Sequence, residues 1–398
     1  MADNKNNNER NVPPLRFPEF TEEWKEEQLD NIATLSKGIG ISKEQLSEDG
    51  EPCILYGELY TKYKSEIIKQ VESKTDINGS KLKRSKANDV IIPCSGETAV
   101  DIATARCVPF DNILFGGDLN VISLHQYDGA FMSYQLNGKR KYDIARVAQG
   151  VSIVHLYGEH LKAIKTYNPT LPEQQKIAKL LSLLDDRIDT QNKIIEKYES
   201  LIKGLNNILL YGTEGKYVCL GDILLERLER SRTNNQHEVL SSTVKGIFSQ
   251  REYFSKDIAS ENNVGYKIIR LHDVVLSPQN LWMGNINYND RFDIGIVSPS
   301  YKVFSIADGY DNQFVAAMLK TYRALYSYMM VSEQGASIVR RNLNMEAFLQ
   351  LVFKIPSLDK QREIGYAISL LKYQLKTANK IIRAYISQKK YLLRQMFI

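Results

Sequence analysis

Five histidines (His125, His155, His160, His237 and His272) and four cysteines (Cys53, Cys94, Cys107 and Cys219) are the side chains of this 398-residue chain best suited to nucleophilic or metal chemistry, and their spacing supports neither. No His-Glu-x-x-His or Cys-x-x-Cys occurs, so a zinc site is not expected. Gly138-Lys139 runs into Arg140, and Gly215-Lys216 into Tyr217, so neither begins a phosphate-cradling loop that ends in Lys-Ser or Lys-Thr. No glycine-rich dinucleotide or methyl-donor loop is present. Asn11-Val12-Pro13-Pro14-Leu15 is not the Asn-Pro-Pro-aromatic element of an amino-methyltransferase. What remains is binding chemistry. Cations cluster at Lys81, Lys83, Arg84 and Lys86 and again at Lys139-Arg140-Lys141, and the net charge of +5 permits a nucleic-acid partner without demanding one.

The element that organises the chain is a long helix. From Pro169-Thr170-Leu171-Pro172-Glu173-Gln174-Gln175 onward no Gly or Pro intervenes before Gly204. Positions 177, 181, 184, 188, 191, 195, 198, 202, 205 and 209 alternate in steps of four and three. They hold Ile177, Leu181, Leu184, Ile188, Gln191, Ile195, Tyr198, Ile202, Leu205 and Leu209, the seam of a coiled coil that needs a partner helix. Gln191, the polar member, suits a register role. Adding 187 to each position gives Ile364, Ile368, Leu371, Leu375, Ala378, Ile382, Tyr385, Lys389, Leu392 and Met396. The partner therefore lies in the same chain. Asn192-Lys193-Ile194-Ile195 recurs letter for letter as Asn379-Lys380-Ile381-Ile382.

The segments before the helices repeat as well. Leu29-Asp30-Asn31-Ile32 matches Leu220-Gly221-Asp222-Ile223, and Asn88–Ile92 matches His272–Leu276. Gln149-Gly150-Val151-Ser152-Ile153-Val154 matches Gln334-Gly335-Ala336-Ser337-Ile338-Val339. Asp89–Pro93 reads as a buried strand, 99–105 and 119–124 as further strands, and Phe131–Arg146 as helical. The expected fold is mixed α/β of the α+β kind: two similar globular domains joined by two long antiparallel coiled-coil helices, a pseudo-twofold tandem repeat. An antiparallel pair follows from connectivity. A parallel one would force the second globular domain to bridge roughly 55 Å of helix at about 1.5 Å per residue. The expected boundaries are an N-terminal arm at 1–15, a first globular domain at 16–168, a helix at 169–212, a second domain at 213–354 and a second helix at 355–398.

Apolar content of 43% and charged content of 25% are those of an ordinary soluble chain. The unpatterned cysteines suggest reduced, intracellular thiols. No apolar run reaches membrane-spanning length, and Met1–Arg10 is not a signal peptide, so a cytoplasmic location and no membrane partner are expected.

The chain resembles the specificity subunit of a type I restriction–modification system. The residues that carry the resemblance are Leu15-Arg16-Phe17-Pro18-Glu19-Phe20 with Glu23-Trp24, the two Gln-Gly-x-Ser-Ile copies, and Pro169–Ala178 with its copy Pro356–Gly365. The match runs over essentially the full length in the family's domain order. The second copy departs in one place, where Asp359-Lys360-Gln361-Arg362 replaces Pro172-Glu173-Gln174-Gln175, and Asp359 can cap that helix. The resemblance implies that each globular half is a target recognition domain reading one half of a bipartite site on double-stranded bacterial DNA. It implies that the helices set the unread gap and hold two modification subunits, that restriction subunits can join, and that S-adenosylmethionine binds in the modification subunit. This chain would carry no cofactor, no metal and no catalytic residue.

A reader needs cations for phosphates and amide, hydroxyl or guanidinium groups for base edges. In the first half the candidates are Lys81, Lys83, Arg84, Ser95, Arg106, Lys139, Arg140, Lys141, Gln149 and Ser152. In the second they are Arg251, Gln279, Asn280, Trp282, Ser337, Arg340 and Arg341. The plain alternative for any one lysine is a solvated surface charge, and for Gln149 and Gln334 a local backbone contact. Arg340-Arg341 stands out because it follows the repeated turn, where the first copy has His155-Leu156, so the halves are expected to contact DNA differently. The seam residues Ile177, Leu181, Leu184, Ile188, Ile195, Tyr198 and Leu205, with Ile364, Ile368, Leu371, Leu375, Ile382, Tyr385 and Leu392, are packing positions. Two other readings are an adaptor without a DNA role, which predicts no salt-dependent DNA binding, and a nuclease with an unfamiliar site, which predicts metal-dependent cleavage.

Overall fold

A computed structural model describes residues 10–211, 214–253, 262–334 and 341–398. The chain divides into two units. The first comprises residues up to Asn192 together with Lys380–Ile398, and the second comprises Lys193–Asn379.

The first unit is built on strands β1 (Lys25–Gln28), β2 (Ala33–Lys37), β3 (Asp89–Pro93), β4 (Arg106–Val108) and β5 (Leu119–Leu124), helices α1 (Gly129–Asn137) and α2 (Lys141–Val147), and strand β6 (Lys165–Asn168), which leads into the long helix α3 (Leu171–Tyr211). The central sheet has the order β2-β5-β3-β4, every pair antiparallel. β3 is buried at all five positions, as its run of Val90, Ile91 and Ile92 requires. A second small sheet joins Lys74–Thr75, Glu51–Ile54, Leu114–Phe115 and Lys83–Arg84. The expected strand at 99–105 is instead one helical turn, Ala99–Ile102, followed by β4. The Asp101 N–H donates to the Thr98 hydroxyl at 3.1 Å, and this capping bond turns the chain before it can extend. The expected helix at 131–146 is two helices, broken at Gly138, where a Cβ would stand 3.0 Å from the Tyr134 carbonyl.

The second unit repeats the frame with β7 (Lys216–Cys219), β8 (Leu224–Glu226), β9 (Val274–Leu276), β10 (Ile286–Tyr288), β11 (Lys302–Ile306), α4 (Asn312–Met318), α5 (Tyr322–Met330), β12 (Val352–Ile355) and α6 (Leu358–Gln395). Its central sheet has the order β8-β11-β9-β10, the same arrangement as the first and again antiparallel throughout. In both units the last strand pairs with the first, β6 with β1 and β12 with β7, so each frame closes just before its long helix starts.

A duplicated polar bridge ties each long helix to its unit. The buried Gln174 accepts from the Asp128 N–H at 2.9 Å and donates to the Pro169 carbonyl at 2.8 Å. Gln361, equally buried, does the same with Asp311 and Pro356 at 2.9 and 3.0 Å. Asp128 and Asp311 in turn cap α1 and α4 through the N–H groups of Phe131 and Phe314. Asp359 does not cap α6. It sits in the first turn and pairs with Arg362 at 3.4 Å, where its charge still suits the helix N-terminus.

Within the first unit the two long helices run antiparallel. The start of α3 packs with the end of α6, so that Ile177 and Leu181 share a core with Met396, Phe397 and Trp24. Trp24 is 2% exposed, edge-on to Phe131 and Phe397 at 5.7 and 6.3 Å. The N-terminal segment is locked over this core. Arg16 forks both carboxylate oxygens of the fully buried Glu173 at 2.7 Å each, and the Trp24 indole N–H donates to the same group at 3.3 Å. In the second unit Ile364 and Ile368 enter a core with Phe314, Met318, Tyr328 and Phe348. Of the fourteen seam positions, Ile177, Leu181, Leu184, Ile364, Ile368 and Ile382 are buried. Ile188, Ile195, Tyr198, Leu205, Leu371, Leu375, Tyr385 and Leu392 are half-buried.

Candidate nucleic-acid interface

In the first unit the Gln-Gly-x-Ser-Ile segment is the tip of a hairpin. Gln149 and His155 exchange both backbone hydrogen bonds, at 2.9 and 2.7 Å, and Gly150, at φ +121°, lets the chain turn. Val154-His155 then pairs with Ser95-Gly96 at the end of β3. This brings Ser95, Gln149 and Ser152 together although 54 residues separate Ser95 from Gln149. A cavity of about 740 Å³ opens beside them, bordered by Tyr60, Ser95, Asp101, Thr104, Arg106 and Ser152. On the hairpin Val151 is 97% exposed and Ile153 61%.

The cations of this half divide. Lys81 and Lys139 are exposed and Lys83 is half-buried. Lys141 is half-buried, and burial, then the neighbouring Arg106, holds its ammonium below the usual lysine range. Three arginines expected at the interface are committed elsewhere. Arg106 is buried and donates to the Tyr63 and Ala105 carbonyls at 2.9 Å each, so it supports the cavity wall instead of reaching out. Arg140 lies 5.2 Å over the Tyr167 ring, pairs with Asp143 and donates to the Ile398 carbonyl, fastening the chain's last residue. Arg84 is forked by Glu51 at 2.6 and 3.0 Å. In each case a partner remote in sequence takes up guanidinium donors before any ligand arrives, though the Arg140 Nε stays buried without a partner.

Sequence reasoning missed three side chains that do stand at this edge. His155 faces the Ser95 hydroxyl at 3.3 Å and stacks on Tyr157, while Lys37, at the end of β2, lies 5.7 Å over the Tyr157 ring. The signal available was the aromatic residue two positions after His155, an interleaving of aromatic and basic groups that suits stacked or phosphate contacts.

In the second unit three candidates, Gln279, Trp282 and Arg341, converge. Strand Ser332–Gln334 pairs with Arg341–Leu343, Gln334 opposite Arg341. The Arg341 N–H donates to the Gln279 carbonyl at 3.1 Å, and its guanidinium lies 5.0 Å over the Trp282 ring. The position facing the repeated glutamine is therefore Arg341, seven residues on, where the first unit has His155, six residues on. This corrects the direct letter alignment, which set His155 against Arg340. Arg251 is exposed on the short helix Gln250–Tyr253. Ser337 and Arg340 lie outside the described residues.

Nothing in these groups resembles a reaction centre. Burial pushes the thiols of Cys53 and Cys94 up to about 11 and that of Cys107 up to about 12, away from thiolate chemistry. Among the described residues no cluster of His, Cys, Asp or Glu could hold a metal ion. None of their helices is long and apolar enough to cross a membrane.

The geometry is one frame used twice, with a different polar edge in each unit. Residues 21–200 match the family model described as the type I restriction modification DNA specificity domain. Over 97% of its length the chain is similar to the S subunit of the type I restriction–modification system from M. genitalium, with a TM-score of 0.63, 16% identity and 99% of that chain covered. A second structure, from work on complex assembly and conformational transition of the type I system, has a TM-score of 0.51 and 13% identity, covering 96% of this chain and 99% of that one. Residues 21–200 thus match a type I restriction–modification DNA specificity domain, and the chain as a whole shares the fold of an S subunit of such a system.

Proposed function

We propose that the two units each read one half of a bipartite, asymmetric site on double-stranded DNA, and that α3 and α6 set the unread gap and hold two modification subunits. Those subunits would bind S-adenosylmethionine and methylate adenine, with restriction subunits joining to form the nuclease, in the bacterial cytoplasm. The functional boundaries under this reading are 16–168 and 213–354 for the readers, 169–212 and 355–398 for the helices, and 1–15 for the arm.

The observation that carries the reading is the contrast between frame and edge. Strand order, helix caps and the Gln174 and Gln361 bridges are duplicated, whereas the edge groups are Ser95, His155 and Tyr157 in one unit and Gln279, Trp282 and Arg341 in the other. Two copies of one scaffold carrying different donors and acceptors suit two different half-sites.

The test is a methylome. The chain is expressed with its modification subunit in a methylation-free host and modified adenines are mapped by single-molecule sequencing. A bipartite motif with a fixed gap is expected. Absence of methylation from a soluble, assembled complex that also fails to bind DNA would favour the adaptor reading.

A further inference from the structure

The second unit holds a loop whose polar atoms are arranged but not satisfied. Between β9 and β10 the chain from Ser277 to Asn285 folds on itself. The Ser277 N–H donates to the Asn285 carbonyl at 2.9 Å, the Asn285 N–H to the Asn280 carbonyl at 3.2 Å, and the Gly284 N–H to the Leu281 carbonyl at 2.8 Å. Leu281 is fully buried beneath the turn, and Gly284, at φ +91°, ends it. Lys320 braces it from below, donating to the Gly284 carbonyl at 2.7 Å. The loop is thus tied at several points and presents Trp282 in one orientation.

Arg341 arrives from a strand 59 residues further on and lays its guanidinium across that ring. Two polar atoms of this group are buried without a hydrogen-bond partner, the Arg341 Nε and the Asn280 Oδ1. Buried polar groups are normally paired, so this donor and this acceptor leave hydrogen-bonding capacity unused on the two residues. Gln279 stands exposed beside them. A planar fork of donors held over an indole suits two acceptors in a plane. The major-groove edge of guanine, with N7 and O6, is the base edge that offers them, whereas adenine, cytosine and thymine do not.

We infer that Arg341, stacked on Trp282, reads a guanine in the half-site of the second unit. Trp282 acts as the positioning residue, and the side chains of Gln279 and Asn280 face the neighbouring base pair. The inference rests on the two-reader function proposed above and adds a base and a groove to it. Stacking supplies what an arginine on a solvated strand lacks: the guanidinium is oriented before DNA arrives, so less rotamer freedom is lost on binding.

The experiment uses the assembled complex with its modification subunit and a duplex carrying the site mapped by methylome. The second half-site is the one that changes when residues 213–354 are exchanged for those of a relative. Replacing its guanines one at a time by 7-deazaguanine removes N7, while inosine keeps N7 and O6 and removes only the minor-groove amino group. At one position 7-deazaguanine should weaken binding about tenfold or more and inosine should not. Arg341→Ala should lose that discrimination along with about tenfold to a hundredfold in affinity. Arg341→Lys, which keeps the charge without the fork, should recover affinity for non-specific DNA but not the discrimination. Trp282→Phe should retain part of it and Trp282→Leu little. The first half-site should remain the methylated specificity of every variant, which reports that the protein is folded. A bipartite methylome with a second half-site lacking guanine, or a 7-deazaguanine effect unchanged in Arg341→Ala, would overturn the assignment while leaving the two-reader function standing. A methylome with no bipartite motif would overturn the function itself.

Discussion

At the scale of single residues, the same letter does opposite things in this protein. Arg16, Arg84, Arg106 and Arg140 donate to carboxylates or carbonyls of the fold, whereas the Arg341 side chain lies over the Trp282 ring; the Nε of both Arg140 and Arg341 is buried without a partner. Glu173 shows how much one charge can hold. It is fully buried and serves both Arg16 and Trp24, so replacing it strands a nearly buried guanidinium. Glu173→Lys, the residue type found at the matching position 360, should cost about 3–5 kcal/mol. It should also release the segment around Arg16. A lower melting temperature together with early proteolysis before Trp24 would be seen. An unchanged melting temperature and a protected segment would show that the aromatic core alone holds it. Lys320 gives a pH signature. Burial, with Lys372 nearby, pushes its ammonium down to about 8 from the ordinary value of 10.5. Between those values the unfolded chain binds more protons, so this group adds stability as pH rises through the window, and its cost is fully incurred below it. Wild type should therefore gain on Lys320→Met as pH is raised from about 8 to 10.5. Unfolding curves of the two proteins that stay parallel across that range would refute the assignment.

At the scale of elements, the long helices carry both the repeat and its exceptions. Position 389 holds Lys where the other seam has Ile202, and the structure supplies the reason. The Lys389 ammonium lies 2.5 Å from both Glu66 and Asp185, and Tyr134 donates to Asp185 at 2.7 Å. Burial raises the Asp185 carboxyl, and Lys389 opposes that rise. A charge cluster in an apolar seam tolerates one alignment of α3 against α6, which is how a polar seam residue sets register. The altered helix start, Asp359-Lys360 for Pro172-Glu173, has a similar explanation. Lys360 pairs with Glu363 within its own helix and has no need to receive an arginine such as Arg16. If these helices measure the unread gap, four residues inserted into α3 add about 6 Å of helix. The methylome of that variant should show a longer gap or no modification, and an unchanged gap would dismiss the ruler.

At the scale of the whole molecule, two units share a frame and differ at their edges. Exchanging residues 213–354 for those of a relative should change one half-site and leave the other, read by methylome. A change in both would mean that the units do not read independently. Much of this architecture was legible from letters alone. The seam announced itself because helical packing repeats every three or four residues, and the duplication because Gln-Gly-x-Ser-Ile and Asn-Lys-Ile-Ile recur in register. The boundary between Ala99–Ile102 and β4 was not legible, because one Thr98 capping bond outweighed a weak strand pattern.

The sequence by itself determined the repeat, the apolar seam, the buried strands and the family resemblance, all properties of neighbouring residues or of spacing along the chain. Only the tertiary structure decided which cations are available. Arg106 meets Tyr63 across 43 residues, Arg140 meets Ile398 across 258, and Arg341 reaches the Trp282 turn from a strand far along the chain. A guanidinium has one set of donors, and whether carbonyls, carboxylates or a ligand take them depends on which remote segments the fold brings within about 3 Å, the range of a hydrogen bond.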